Sequence, residues 1–82
     1  MTLQQRFVAN VNRLMHEYGW SRVHLAELMG CSSGYVTDYL GSHRGGTPSR
    51  SPGLEVVARF ATALNVDPSE LLVDSSRFAV PA

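Results

Sequence analysis

Residues 20–42 read WSRVHLAELMGCSSGYVTDYLGS. Two serines stand where N-terminal helix caps are expected, and a glycine stands where a left-handed residue would end the first helix. These residues are Ser21, Ser32 and Gly30. The pattern predicts two short helices separated by a tight turn, the second over residues 33–40.

Small and apolar residues within this stretch follow the spacing of one structural motif. A helix-turn-helix needs a small residue in its first helix, a glycine in the turn and an apolar anchor in the second helix. Ala26, Gly30 and Val36 meet these requirements. We therefore predict a helix-turn-helix over residues 21–40, with Tyr39 packed in the core.

Helices are also predicted on both sides of the motif. Apolar residues recur at helical spacing from about residue 2 to the left-handed stop at Gly19, and again from Pro52 to near Asn65. The inward positions are Leu3, Phe7, Val11, Leu14, Met15 and Tyr18 in the first segment and Leu54, Val57, Phe60, Ala61 and Leu64 in the second. Trp20, between the first two helices, is also expected in the core.

The end of the chain predicts a fifth, short helix. Asp67, Pro68 and Glu70 supply a cap, a first-turn proline and a capping-box acid. No strand pattern or internal repeat competes with an all-α fold, and a chain of this length holds one compact core. We expect a five-helix domain over residues 1–73 and a tail over residues 74–82.

The charges are balanced overall but unevenly distributed. Seven basic residues, all arginine, match seven acids, so the net charge is zero. The loop at residues 41–51 nevertheless carries His43, Arg44 and Arg50 and contains no acid. Its glycines and proline prevent regular structure. We predict a long basic loop directly after the helix-turn-helix.

Several function classes find no support in the sequence. The histidines and Cys31 lack the paired spacing of a zinc site, and no catalytic nucleophile, acid pair or phosphate-binding glycine loop is recognisable. We expect no enzyme activity, metal, cofactor or small-molecule ligand. Neither a membrane span nor a signal peptide is recognisable, and a single cysteine fits a reducing compartment. The expected location is therefore cytoplasmic, without a membrane partner.

Three segments resemble one known family. Residues 25–32, Leu-Ala-Glu-Leu-Met-Gly-Cys-Ser, resemble the "Leu-Ala-x-x-x-Gly-Val-Ser" signature of the phage-repressor and Cro-type, or XRE-like, helix-turn-helix regulators. Residues 52–55 and 60–72 resemble that family's "Pro-Ser-Leu-Glu" and "Ile-Ala-x-Ala-Leu-Gly-Val-x-x-x-Glu-Leu-Leu" segments. The resemblance implies a compact five-helix lambda-repressor-like domain.

In function, the resemblance implies a transcriptional regulator that binds double-stranded DNA. Members usually act as symmetric homodimers on pseudo-palindromic operators. The expected setting is the bacterial nucleoid or a phage-infected cell, and repression is the expected role. Neutral net charge leaves a rival hypothesis open: an antitoxin-like or scaffolding protein-interaction module that keeps the fold without specific DNA readout.

The second helix of the motif is expected to read bases from the major groove. In this architecture the base-contacting positions are Ser33, Gly34, Thr37 and Asp38. Ser33 has the alternative role of a second helix cap. Asp38 can accept from a cytosine amino group or can be a surface acid paired with an arginine.

A second group of side chains is expected to contact DNA phosphates, which supply most of the affinity. These residues are Arg22, Ser32, Tyr35, His43, Arg44 and Arg50. Arg22 stands where the family usually has glutamine, so it is expected to anchor the backbone. Core packing is the alternative for Tyr35, and plain solvation is the alternative for Arg44 and Arg50.

The dimer contact is expected at the C-terminal end. A single module of this size usually binds DNA weakly, so a second copy is expected. The apolar residues that the predicted core does not use are Leu72, Val73, Phe78 and Val80. Phe78 has the alternative of folding back onto its own domain.

Overall fold

The computed structural model describes residues 2–41 and 48–73 of the 82-residue chain. Within these ranges the fold is a compact all-α domain with four helices and one 3-10 turn. The helices are α1 Leu3–Tyr18, α2 Arg22–Met29, α3 Ser33–Leu40 and α4 Leu54–Leu64, and the turn is Pro68–Leu71. No helix in these ranges is long and apolar enough to cross a membrane.

The helix ends follow the predicted caps. The Ser21 hydroxyl accepts from the His24 N–H at the start of α2, and the Ser32 hydroxyl accepts from the Tyr35 N–H at the start of α3. Gly30 has φ 70°, a left-handed conformation in which a side chain would be strained. The predicted helix-turn-helix is thus confirmed, with α3 spanning the predicted residues.

The core forms where α1, α3 and α4 meet. The ring of Phe60 on α4 packs edge-on against Phe7 of α1, with centroids 5.1 Å apart, and against Tyr39 of α3 at 6.2 Å. Trp20 and Met29 are half-buried against this core. The fully enclosed apolar side chains include Phe7, Val11, Leu25, Val36, Phe60, Leu64 and Leu71.

Three predicted core positions are wrong, because Leu3 is 62% exposed, Leu54 is 83% exposed and Tyr18 is 41% exposed. Leu3 and Leu54 lie in the first turn of their helices, α1 and α4, whereas Tyr18 is the last residue of α1 and its hydroxyl donates to the Leu64 carbonyl. A first-turn residue can satisfy helical spacing and still lie before the point where the helix reaches its neighbours. Pro52 likewise does not open α4, because Gly53 is the N-cap residue and α4 begins at Leu54.

The predicted fifth helix is a 3-10 turn of four residues. Asp67 and Glu70 form the expected capping box, and the pKa of Asp67 is lowered because the N–H and hydroxyl of Ser69 donate to its carboxylate. At the end of this turn the fully buried Asn10 of α1 donates to the carbonyls of Leu71 and Val73, at 3.0 and 2.8 Å. Such short segments are where 3-10 geometry is normally found.

Candidate nucleic-acid interface

The predicted base-contacting residues share one face of α3. Successive residues of an α-helix are separated by about 100°, so Ser33, Thr37, Gly34 and Asp38 occupy one continuous arc of less than half the circumference. Ser33 and Gly34 are exposed, whereas Thr37 and Asp38 are half-buried. The opposite arc carries the buried residues Val36, Tyr39 and Leu40. The helix therefore presents a short polar face while its apolar face anchors it to the domain.

Arg22, the first residue of α2, reaches the C-terminal end of α3. Its Nη1 donates to the Gly41 carbonyl and lies 3.4 Å from the Thr37 hydroxyl oxygen. Burial lowers the pKa of Arg22 below its usual value. The guanidinium nevertheless stays charged, because arginine is not deprotonated in proteins. Arg22 thus joins α2 to α3 within the protein, which the sequence did not predict.

Gly41 ends α3 in a conformation that favours glycine. Its φ is 85° and its ψ is 172°, a region that L side chains rarely adopt, and its N–H donates to the Thr37 carbonyl at 2.8 Å. The residue is buried. This backbone geometry aims the Gly41 carbonyl at Arg22.

We expect Gly41→Ala to destabilise the protein by about 1 to 3 kcal/mol, because alanine strains this backbone region. Denaturant unfolding measures the change. Gly34→Ala is the matched control, since Gly34 is helical and a methyl group there would meet only the Ser32 hydroxyl at an ordinary 3.7 Å. The control should stabilise the helix by about 0.5 to 1 kcal/mol. Equal effects of the two variants would contradict a special role for the Gly41 conformation.

The end of the basic loop is attached to α3. The Arg50 N–H donates to the Asp38 carbonyl at 3.1 Å, and the Arg50 carbonyl accepts from Gln4 of α1 at 3.0 Å. The Ser49 hydroxyl lies 3.4 Å from the same Asp38 carbonyl and 3.5 Å from Asp38 Oδ1. Asp38 therefore lies on the polar face and also holds the backbone of Arg50. Arg50 itself is exposed.

Tyr35 and Arg59 form a contact that the sequence reading missed. Arg59 of α4 donates to the Tyr35 hydroxyl at 3.2 Å and to the Met29 carbonyl at 3.4 Å, and its guanidinium carbon lies 5.1 Å from the Tyr35 ring centroid. Burial raises the pKa of Tyr35, although the Arg59 charge opposes this. Tyr35 is half-buried beside Tyr39, at 5.1 Å between ring centroids.

The predicted dimer residues divide into two groups. Leu72 and Val73 are half-buried; Leu72 packs against the core of its own domain, and the Val73 carbonyl accepts from Asn10. Phe78 and Val80 lie outside the described residues, as do the predicted phosphate contacts His43 and Arg44. In the described parts of the chain, no three His, Cys, Asp or Glu residues are grouped as a metal site would require.

A buried helix-turn-helix frame that presents one polar helix face, with arginines beside it, defines a DNA-binding domain. The model of the Cro/C1-type HTH DNA-binding domain family matches residues 10–76, which is most of the chain. The protein belongs to this family, whose members bind DNA and are non-enzymatic. Searches of curated proteins and of solved structures found no match.

Proposed function

We propose that the protein is a sequence-specific transcriptional repressor that binds a pseudo-palindromic operator as a homodimer. The observation that carries the proposal is the polar arc of α3, because a B-DNA major groove of about 12 Å width admits one α-helix and presents a distinct pattern for each base pair. Ser33, Gly34, Thr37 and Asp38 are the proposed base contacts. A repressor of this kind would act on DNA in the cytoplasm.

The proposed phosphate contacts lie around this arc. Ser32 and Tyr35 are at its N-terminal end, and Arg22 is at its C-terminal end. Arg50 is held beside the same end by Asp38 and Gln4. His43 and Arg44 are proposed from the sequence alone. Each neutralised phosphate releases counterions, so local cations can sustain binding despite a net charge of zero.

For the dimer, we propose contacts through Leu72, Val73, Phe78 and Val80, with residues 1–73 as the DNA-binding unit and residues 74–82 as a tail. The bond from Asn10 to the Val73 carbonyl, at 2.8 Å, supports a domain that extends to Val73. Sedimentation of the full chain and of a chain truncated after Val73 tests this. A monomeric full chain at the concentration that saturates DNA would refute the dimer.

Selection of bound sequences from a random DNA pool is the most informative test of the proposed function. A palindrome in the selected sequences would establish readout, two-fold symmetry and half-site spacing together. Equally weak binding to selected and random duplexes at every salt concentration would exclude specific regulation. The protein-interaction alternative then gains support if a partner protein binds stoichiometrically and if Arg22→Ala does not weaken that binding.

We expect Asp38→Ala to relax selectivity at one base pair in each half-site. A good side-chain contact to a base edge contributes about 1 to 3 kcal/mol of discrimination, so the preferred base should lose roughly 5- to 150-fold of its advantage. Glu17→Ala is the control, because it removes an acid of the same charge on α1, where Glu17 pairs with Arg13 at 3.0 Å. Competition between operator variants measures both.

Ser49→Ala separates the two roles of Asp38. It removes the hydroxyl beside Asp38 Oδ1 and leaves the carboxylate in place. If Asp38 reads a base, Ser49→Ala keeps the base preference that Asp38→Ala loses. Unchanged selectivity in Asp38→Ala would show that the carboxylate serves only the loop.

A further inference from the structure

Two arginines from different helices contact residues of α3 that lie on opposite sides of Gly34 and Asp38 around the helix. Arg22 of α2 contacts Thr37, which belongs to the polar arc and lies on its side towards Leu40. Arg59 of α4 contacts Tyr35, which borders the arc on the side of Tyr39. At about 100° per residue, Thr37 and Tyr35 are roughly 160° apart around the helix axis.

The two arginines also differ in their position along α3. Arg22 reaches Gly41, just beyond the last turn, whereas Arg59 reaches the first turn and the carbonyl of Met29 at the end of α2. They therefore contact α3 near its opposite ends and on different sides of Gly34 and Asp38. A helix in the major groove lies between the two phosphate backbones, so each edge of its exposed face meets a different strand.

Arg59 has the chemistry that a phosphate contact requires. The residue is exposed, and its bonds to Tyr35 and Met29 use two of the five N–H donors of a guanidinium. The Tyr35 ring holds the guanidinium in place by a cation–π contact at 5.1 Å. Because the Tyr35 oxygen accepts from Arg59, the two groups bring a cation and a hydroxyl to one point.

We propose that Arg59 and Tyr35 together bind a DNA phosphate on the strand opposite to the one that Arg22 contacts. The inference rests on the proposed DNA recognition by α3 and adds a residue of α4 to the interface. Arg59 and Arg22 then each contact the phosphate backbone of a different strand. Together these contacts set the rotation of α3 about its own axis in the groove. That rotation decides which side chains of the polar arc face the bases.

The salt dependence of DNA binding tests the charge contact. The logarithm of the binding constant falls with the logarithm of salt concentration by about 0.9 for each phosphate neutralised on B-DNA. We expect the magnitude of this slope to decrease by about 0.9 per subunit in Arg59→Ala. Arg59→Lys keeps a cation and should retain the wild-type slope. Arg13→Ala, which removes a cation from α1, is the matched control and should leave the slope unchanged.

A merely structural role gives a different result. If Arg59 only positions Tyr35, then Arg59→Ala weakens binding by the same factor at every salt concentration, and that outcome overturns the proposal. Thermal unfolding of each variant establishes that it is folded at the temperature of measurement. The slope is measured on random duplex as well as on a selected operator. If the protein binds DNA without sequence selectivity, the slope on random duplex still measures the contribution of Arg59. Failure of the proposed function can therefore be distinguished from failure of the Arg59 contact.

Phosphate ethylation interference tests the strand assignment. Each phosphate whose ethylation blocks binding by the wild type marks a contact on a known strand. We expect Arg59→Ala and Tyr35→Phe to lose sensitivity at the same phosphate, and Arg22→Ala to lose it on the other strand of that half-site. Loss on the same strand for Arg22 and Arg59, or an unchanged pattern in Arg59→Ala, would refute the two-strand grip.

Discussion

Asn10→Asp is expected to destabilise the domain by about 3 to 5 kcal/mol at neutral pH, because it places an unpaired carboxylate in the core. Asn10 is fully buried, and its Nδ2 donates to two carbonyl oxygens, those of Leu71 and Val73. A carboxylate cannot donate and is repelled by both. A domain of this size has a total stability of roughly 4 to 12 kcal/mol, so the variant can be largely unfolded.

The effect of Asn10→Asp depends on pH in a defined direction. Burial beside two carbonyl oxygens raises the pKa of the new carboxyl in the folded state above its unfolded value. Stability is therefore lost as pH rises from the unfolded pKa towards the folded one, and is partly regained in acid, where the protonated group can donate one bond. Urea unfolding at pH 4 and pH 7, each compared with the wild type, measures this difference.

Asn12→Asp is the matched control for this experiment. Asn12 lies on the same helix, two residues further on, but is exposed. The same change of charge there should alter stability by no more than about 0.5 kcal/mol. Similar losses in the two variants would show that the Asn10 amide does not hold the C-terminal turn.

Arg22→Ala is expected to weaken operator binding by about 10- to 100-fold. The substitution removes a proposed phosphate contact, and hydrogen bonds to charged groups contribute about 1.5 to 3 kcal/mol. It also leaves the buried Gly41 carbonyl without its arginine donor and frees Thr37 from the 3.4 Å contact. Stability should fall at the same time, by about 1 to 3 kcal/mol for the unsatisfied carbonyl.

Two further variants separate these effects of Arg22. Arg22→Gln supplies the amide that the family usually carries at this position; an amide can donate to the Gly41 carbonyl but has no charge. We expect it to recover stability more than affinity. Combining Arg22→Ala with Thr37→Val gives a double-mutant cycle for the side-chain pair. Wild-type affinity in Arg22→Ala would remove Arg22 from the proposed interface.

Local signals made the helix-turn-helix predictable from sequence. Ser21, Gly30 and Ser32 act through their own backbone and that of residues within five positions, so their roles follow from spacing alone. The apolar positions of α1 and α4 were likewise predictable except for Leu3 and Leu54 in the first turns and Tyr18 at the end of α1. There, periodicity gives the face of a residue but not its distance along the helix from the neighbouring elements.

The missed hydrogen bonds join distant parts of the chain. Asn10 contacts residues more than 60 positions away, and Arg59 contacts Tyr35 and Met29 across 24 and 30 positions. A polar residue in an amphipathic helix has the same sequence pattern whether it faces solvent or a carbonyl. The bonds of Asn10 at the end of the 3-10 turn were missed for this reason.

Both ends of the basic loop are hydrogen-bonded to the last turn of α3. Changes in the length or sequence of the loop between these points should therefore be tolerated. Gly41 is bound to Thr37, and Arg50 is bound to Asp38, so the chain leaves and rejoins the domain at neighbouring points. Closing a longer loop between fixed points costs only about 0.6 kcal/mol for each doubling of its length. The length of the chain between these two points is therefore a variable that substitution or insertion at residues 42–47 would change at little cost to the folding of the helix-turn-helix.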